Sequence, residues 1–148
     1  MANIPAENPL LEKFAGKMKL PPPVAGLIGF DLVSLEPGVA RFELHTDERH
    51  ANPMGTVHGG ILCDLADAAM GMAYASLLRP GESFTTLELK INFLKPVWKT
   101  KLTAVAHVVK GGRTVGLVEC DIFDEAESLV ARASGTQMTL REEMAKGR

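Results

Sequence analysis

One stretch of the chain concentrates residues able to do chemistry. Asn52-Pro53-Met54-Gly55-Thr56-Val57-His58-Gly59-Gly60 runs directly into Ile61-Leu62-Cys63-Asp64-Leu65-Ala66-Asp67. If a helix starts near His58, the N–H groups of about Gly59 and Gly60 have no carbonyl partner and project with the positive end of the helix dipole. Glycine there lets a ligand oxygen approach the backbone closely. Asp67 falls nearly two turns into the same helix among apolar residues, with no Lys or Arg within a turn or two. A carboxylate in that setting is expected to be buried, and desolvation would raise its pKa toward the range of a general base. These groups also have plainer readings. His58 suits a helix cap or a satisfied core position, Gly59-Gly60 tight packing, and Asp64 a favourable place near the dipole's positive end.

Other reactive side chains carry less. Cys63 has no base at a useful spacing and reads as packing, and His45, His50 and His107 have no metal-ligand spacing. Met70, Met72 and Tyr74 read as core first and as the lining of a ligand pocket second, and Lys95, Lys99 and Lys101 as solvated charges on strand edges.

The elements around the motif follow from periodicity and turn chemistry. Asn8 to Lys17 reads as a short amphipathic helix capped by Asn8, and Pro21-Pro22-Pro23 as its stop and the start of an extended stretch. Leu27–Leu35 and Val39–Leu44 read as strands around a Glu36-Pro37-Gly38 turn, and 46–60 as a loop. A helix of about 20 residues, from about His58 to Leu78, is apolar nearly all round and stops at Arg79-Pro80-Gly81. Four strands follow: Phe84–Leu94 (Leu87, Leu89, Ile91 and Phe93 on one face), Lys101–Lys110, Thr114–Phe123 and Leu129–Leu140, with Gly111-Gly112 as a hairpin signal. One long helix beside antiparallel strands means α+β, and a helix so apolar must be surrounded, so the sheet should curl around it. The charged end REEMAKGR is expected to fray.

Bulk properties narrow the function classes. The 148 residues suit one domain, and 46% apolar with 23% charged residues is ordinary globular composition. A formal charge of −2 disfavours general nucleic-acid or anionic-membrane binding. Two cysteines make no disulfide framework, and the first residues lack a secretion signal, so the cytoplasm is the expected location. The apolar segment 57–78 is interrupted by Asp64 and Asp67, leaving 11 clean residues at most, too few to span a membrane.

The string N-x-x-G-x-x-H-G-G followed by L-A-D, with INFLKPV at 91–97 and the turn Gly111-Gly112-Arg113, resembles the hotdog-fold acyl-CoA thioesterases of the PaaI-like, phenylacetate-degradation type. The likeness covers about residues 24–140, leaving 1–23 as a helical, proline-rich lead-in and 141–148 as a charged tail. It implies a sheet of five to six strands wrapped around one central helix, and hydrolysis of an acyl-CoA or aryl-CoA with no cofactor beyond the CoA of the substrate. By the same resemblance Asp67 is the base or nucleophile, and the Gly59 N–H polarises the thioester carbonyl. Asn52 helps orient thioester or water, and His58 supports the loop or contacts the thioester. Gly60 belongs to the substrate-binding turn, Thr86 places a hydroxyl near the attacking water, and Gly71, where some relatives carry Ser or Thr, leaves space for the acyl group. Arg113, with Lys110, would suit the phosphates of CoA, against the alternative of an exposed basic hairpin.

Gly59 and Asp67 are eight residues apart, about 12 Å along one helix and on different azimuths. A carbonyl needs its donors at about 2.7–3.1 Å. Two antiparallel helices satisfy that where one does not, so the expected site is composite and shared across a homodimer, and the family's dimers often pair into homotetramers. Two rivals remain at this stage: a non-catalytic acyl-CoA-binding regulator, and a hotdog dehydratase acting on 3-hydroxyacyl thioesters.

Overall fold

A computed structural model describes residues 9–14 and 18–147. Its elements are α1 (Pro9–Glu12), α2 (Pro23–Ile28), β1 (Phe30–Glu36), β2 (Val39–His45), α3 (Gly59–Ala75), β3 (Ser83–Phe93), β4 (Lys101–Gly111), β5 (Val115–Phe123) and β6 (Leu129–Leu140). Single 3-10 turns lie at Glu48–His50 and Glu142–Ala145, the latter within the tail expected to fray.

The strands form one antiparallel sheet in the order β1-β2-β4-β5-β6-β3, leaving β1 and β3 as edges. Strand alternation supplies its buried face: Ala40, Phe42 and Leu44 on β2, Leu102, Ala104 and Ala106 on β4, Val118, Cys120 and Ile122 on β5. Many of these are small, so the sheet closes tightly on α3, which contributes Leu62, Leu65, Ala66, Ala69, Met70, Ala73 and Tyr74. The α+β architecture expected from the sequence is therefore present, with six strands around one long helix.

Several boundaries differ from expectation, each for a local reason. Pro23 opens α2 at its first turn instead of starting an extended stretch, and Gly29 (φ 96°) closes it by donating its N–H to the Ala25 carbonyl. Leu27 and Ile28 consequently belong to that helix, and β1 begins only at Phe30. Helix α3 ends at Ala75, not Leu78, because the chain tightens there: the Leu77 and Leu78 N–H groups donate three residues back, to the Tyr74 and Ala75 carbonyls. The Ser76 hydroxyl donates to the Ala73 carbonyl (2.6 Å) and accepts the Gly38 N–H (2.7 Å). Lys13 Nζ then takes the Ser76 and Leu78 carbonyls at 2.7 Å each. In β3 the register shifts between Thr86 and Glu88, which turns Leu87 out of the expected alternation and exposes it. Asn8 and residues 15–17 of the first expected helix lie outside the described residues.

Candidate active site

The motif loop is tied down before the helix begins. The His58 N–H donates to the His50 carbonyl at 2.8 Å and the Val57 N–H to the Val97 carbonyl at 2.8 Å. Buried His50 bonds the Ile28 carbonyl through Nε2 at 2.7 Å and accepts the Asp47 N–H on Nδ1 at 2.9 Å. The Asn52 side chain closes its own turn. Its Oδ1 accepts the N–H groups of Met54 (3.0 Å) and Thr56 (3.2 Å), and its Nδ2 donates to the Thr56 hydroxyl (2.7 Å). Both polar ends of Asn52 thus serve the loop that presents the helix start.

His58 is the N-cap of α3: its Nδ1 accepts the Gly60 N–H at 2.8 Å, which puts its ring proton on Nε2. With Gly60 so engaged, Gly59 carries the first helical N–H, whose ring of partners four residues back does not exist. A Cβ on Gly59 would stand 2.8 Å from the Phe93 ring, and one on Gly60 2.9 Å from His58 Nδ1, so a side chain at either position would have to push one of these rings aside. Asn52, Thr56, Gly59, Leu62, Phe93 and Pro96 line a cleft of about 370 Å³ at this end of the helix.

Asp67 corrects the expectation of burial. It is exposed, because the sheet covers only one side of α3 and leaves Gly60, Asp64 and Asp67 uncovered. Within one chain this carboxylate stands at the surface and not in the enclosed apolar setting that the sequence suggested. No Lys or Arg among the described residues pairs with it. Its partner is the Thr86 hydroxyl, which donates to Oδ1 at 3.0 Å. One turn earlier, partial desolvation pushes the Asp64 carboxyl above its ordinary range, with the like charge of Asp67 adding to it. The same two causes, burial first and then Asp64 and Asp67, raise the Cys63 thiol, so Cys63 is poorly suited to act as a thiolate.

Edge strand β3 runs alongside this uncovered face. Phe93 lies over Gly59, Thr86 beside Asp67, and the Phe84 ring 3.2 Å from where a Gly71 Cβ would be. The room over buried Gly71 therefore holds an aromatic ring. Arg113 is elsewhere. It lines a larger cleft, about 610 Å³, with Tyr74, Leu77, Arg79, Gly112 and Arg141 at the C-terminal end of α3, some 20 Å along the helix from Gly59. The chain thus joins Asn52, His58, Gly59 and Gly60 in one place and Asp67, Thr86 and Gly71 in another, with Arg113 apart from both. Gln137, which no sequence signal marks, is fully buried on β6 directly opposite Thr86 and lies 2.9 Å from its hydroxyl. Only the strand register reveals it.

Comparison with known proteins bears on this arrangement. The sequence model of the thioesterase superfamily matches residues 54–131. A 1,4-dihydroxy-2-naphthoyl-CoA hydrolase of Listeria monocytogenes is 33% identical over 103 residues, covering 70% of this chain and 84% of the relative. Human acyl-coenzyme A thioesterase 13 is 31% identical over 108 residues, 72% of this chain and 76% of the relative. Among solved structures, the PaaI protein of the E. coli phenylacetic acid degradation operon superposes with a TM-score of 0.80 at 26% identity, covering 88% of this chain and 94% of that one.

Proposed function

The chain belongs to the thioesterase superfamily as a hotdog-fold thioester hydrolase of the PaaI-like type, and from that premise we propose that it cleaves acyl-CoA or aryl-CoA thioesters with Asp67 as the reactive carboxylate. Water adds to the thioester carbonyl, the carbon–sulfur bond breaks, and the products are a carboxylic acid and the free CoA thiol. The Gly59 N–H, at the positive end of α3, receives the charge that develops on the carbonyl oxygen. Asp67 supplies the electron pair, either by taking a proton from the attacking water or by attacking the carbonyl carbon itself. The observation that carries this reading is the Asp67–Thr86 bond: a carboxylate without a cationic partner is held by one oxygen, leaving the other to react.

Gly59 and Asp67 lie on one helix about 12 Å apart, so each site takes Gly59 from one chain and Asp67 from a second, antiparallel copy. Support comes from the shape of the single chain. Strand β3 is a free sheet edge bearing exposed Leu87 and Phe93, and it borders the one uncovered face of α3. A second copy joining at that edge covers Asp67 and supplies the desolvation that one chain lacks. Arg113 and its neighbouring arginines then offer cationic contacts for CoA phosphates at the rim. No helix among the described residues is long and apolar enough to cross a membrane, and a cytoplasmic location fits a CoA-dependent substrate.

The test is release of free thiol across a panel of acyl- and aryl-CoAs. Wild type is expected to turn over at least one of them, and Asp67→Asn to lose roughly 10²–10⁴-fold in rate, the usual worth of a general base, while folding and assembly persist. Equal rates in both proteins would refute the role of Asp67. Tight binding without turnover would favour the regulatory reading, and hydration or dehydration of a 3-hydroxyacyl thioester the dehydratase.

A further inference from the structure

The Thr86 hydroxyl stands 3.0 Å from Asp67 Oδ1 and 2.9 Å from the Gln137 amide, yet it has one proton to give. An ionised Asp67 has none, so it must receive that proton, and Gln137 must then be the donor to Thr86. Turning the Gln137 amide over, which moves no heavy atom from its place, presents Nε2 to the hydroxyl. It also gives an acceptor to Nε2, which in the opposite orientation is a buried amide nitrogen with no partner among the described residues, and leaves the carbonyl Oε1 in that unpaired place instead. Gln137 is wholly enclosed, between Thr86 of β3 on one side and Gly116 of β5 on the other. On its face of β6 the flanking residues are Gly135 and buried Thr139, whose hydroxyl is already engaged with the Tyr74 hydroxyl at 2.7 Å. A buried amide in such a sheet has a specific partner or a stability cost, and its one partner here is the hydroxyl that holds the reactive carboxylate.

We infer that Gln137 is a positioning residue for the reaction proposed above, donating from Nε2 to the Thr86 hydroxyl so that the Thr86 proton is committed to Asp67. The inference rests on the hydrolase reading and deepens it. Donation into the hydroxyl oxygen fixes its rotor and polarises its O–H bond, which strengthens the bond to Asp67 and steadies the ionised form.

The experiment is a double-mutant cycle between Gln137→Met and Thr86→Ala, read in steady-state kinetics and in the titration of the Asp67 carboxyl carbon by NMR. Gln137→Met is expected to lower kcat by about three- to tenfold with KM nearly unchanged, and to move the Asp67 midpoint upward. In the Thr86→Ala background the same substitution is expected to change neither, because its route to Asp67 is already cut. Gln137→Glu keeps the shape of the side chain. While protonated it donates as the amide does, and once ionised it competes for the Thr86 proton, so its kcat should fall with rising pH where wild type is flat. An active wild type with unchanged kcat and Asp67 titration in Gln137→Met, or full additivity with Thr86→Ala, overturns the inference and leaves the hydrolase standing. A wild type that hydrolyses no acyl-CoA overturns both, and is recognised before any substitution is made.

Discussion

Two acidic side chains three positions apart on α3 show how little residue type alone decides. Asp64 has partial desolvation and a like-charged neighbour, while Asp67 has a hydroxyl donor on one oxygen and open space on the other. The pattern L-A-D located Asp67, but its expected burial did not follow, because the sequence shows an apolar helix without showing which side the sheet leaves bare. Cys120 is the opposite case. Its thiol is enclosed on β5, and burial pushes its pKa up to about 12 from 9.0. An unfolded chain loses that proton first, so the folded state binds more protons between pH 9 and 12 and its stability falls as pH rises through that window. The slope is about 1.4 kcal/mol per pH unit. Chemical denaturation of wild type and Cys120→Ala from pH 8 to 11 checks this. Wild type should weaken more steeply above pH 9, and parallel curves would contradict the assignment.

At the scale of elements, the long helix and the later strands were legible from periodicity, and Leu129–Leu140 matches β6 at both ends. What escaped were features set by tertiary partners. At the end of α3 the Gly38 N–H and the Ala73 carbonyl meet at the Ser76 hydroxyl, the first a contact across 38 residues. The bulge at Leu87 and the pairing of Thr86 with Gln137 depend on register, which alternation does not fix by itself. The extended stretch expected after the prolines and the start of the first strand at Leu27 gave way to a short helix, because Pro23 and Gly29 fit the start and stop of a helix as well as they fit a turn. The sheet's close fit to α3 gives an element-scale prediction at Gly116, where a Cβ would stand 2.4 Å from Tyr74 Cε2 and 3.2 Å from the Lys110 carbonyl. Gly116→Ala should destabilise the fold by about 1–3 kcal/mol, as overpacking does. Gly26→Ala, whose Cβ would meet nothing within 4 Å, should cost far less. Equal melting temperatures for the two variants would show that α3 yields freely to the sheet.

For the whole molecule, the decisive feature is that one chain separates Gly59, the proposed oxyanion donor, from Asp67, the proposed reactive carboxylate. An antiparallel partner that sets Gly59 against Asp67 has its two-fold axis passing midway between them, four residues from each, at Cys63. Cys63 is also midway around the helix, about 40° from either residue. A Cys120→Ser protein, with Cys63 as its remaining cysteine, should therefore give a covalent dimer with a short bis-methanethiosulfonate under alkaline conditions, which offset the raised Cys63 thiol, and Cys63→Ser none. A dimer seen by light scattering that never cross-links through Cys63 would require a different helix register.

Subunit mixing tests the shared site most directly. Gly59→Pro removes the helix-start N–H while suiting the first helical position, and Phe93→Ala beside it gives the ring carbons room. That double variant and Asp67→Asn should each be inactive alone, and Phe93→Ala by itself, which touches the same cleft, is measured alongside to separate its effect from that of Gly59→Pro. After subunit exchange at equal amounts, about one site in four combines an intact Gly59 with an intact Asp67 from the other chain, so about a quarter of the wild-type rate should return. Continued inactivity, with exchange verified by mass spectrometry, would contradict a site built from two chains.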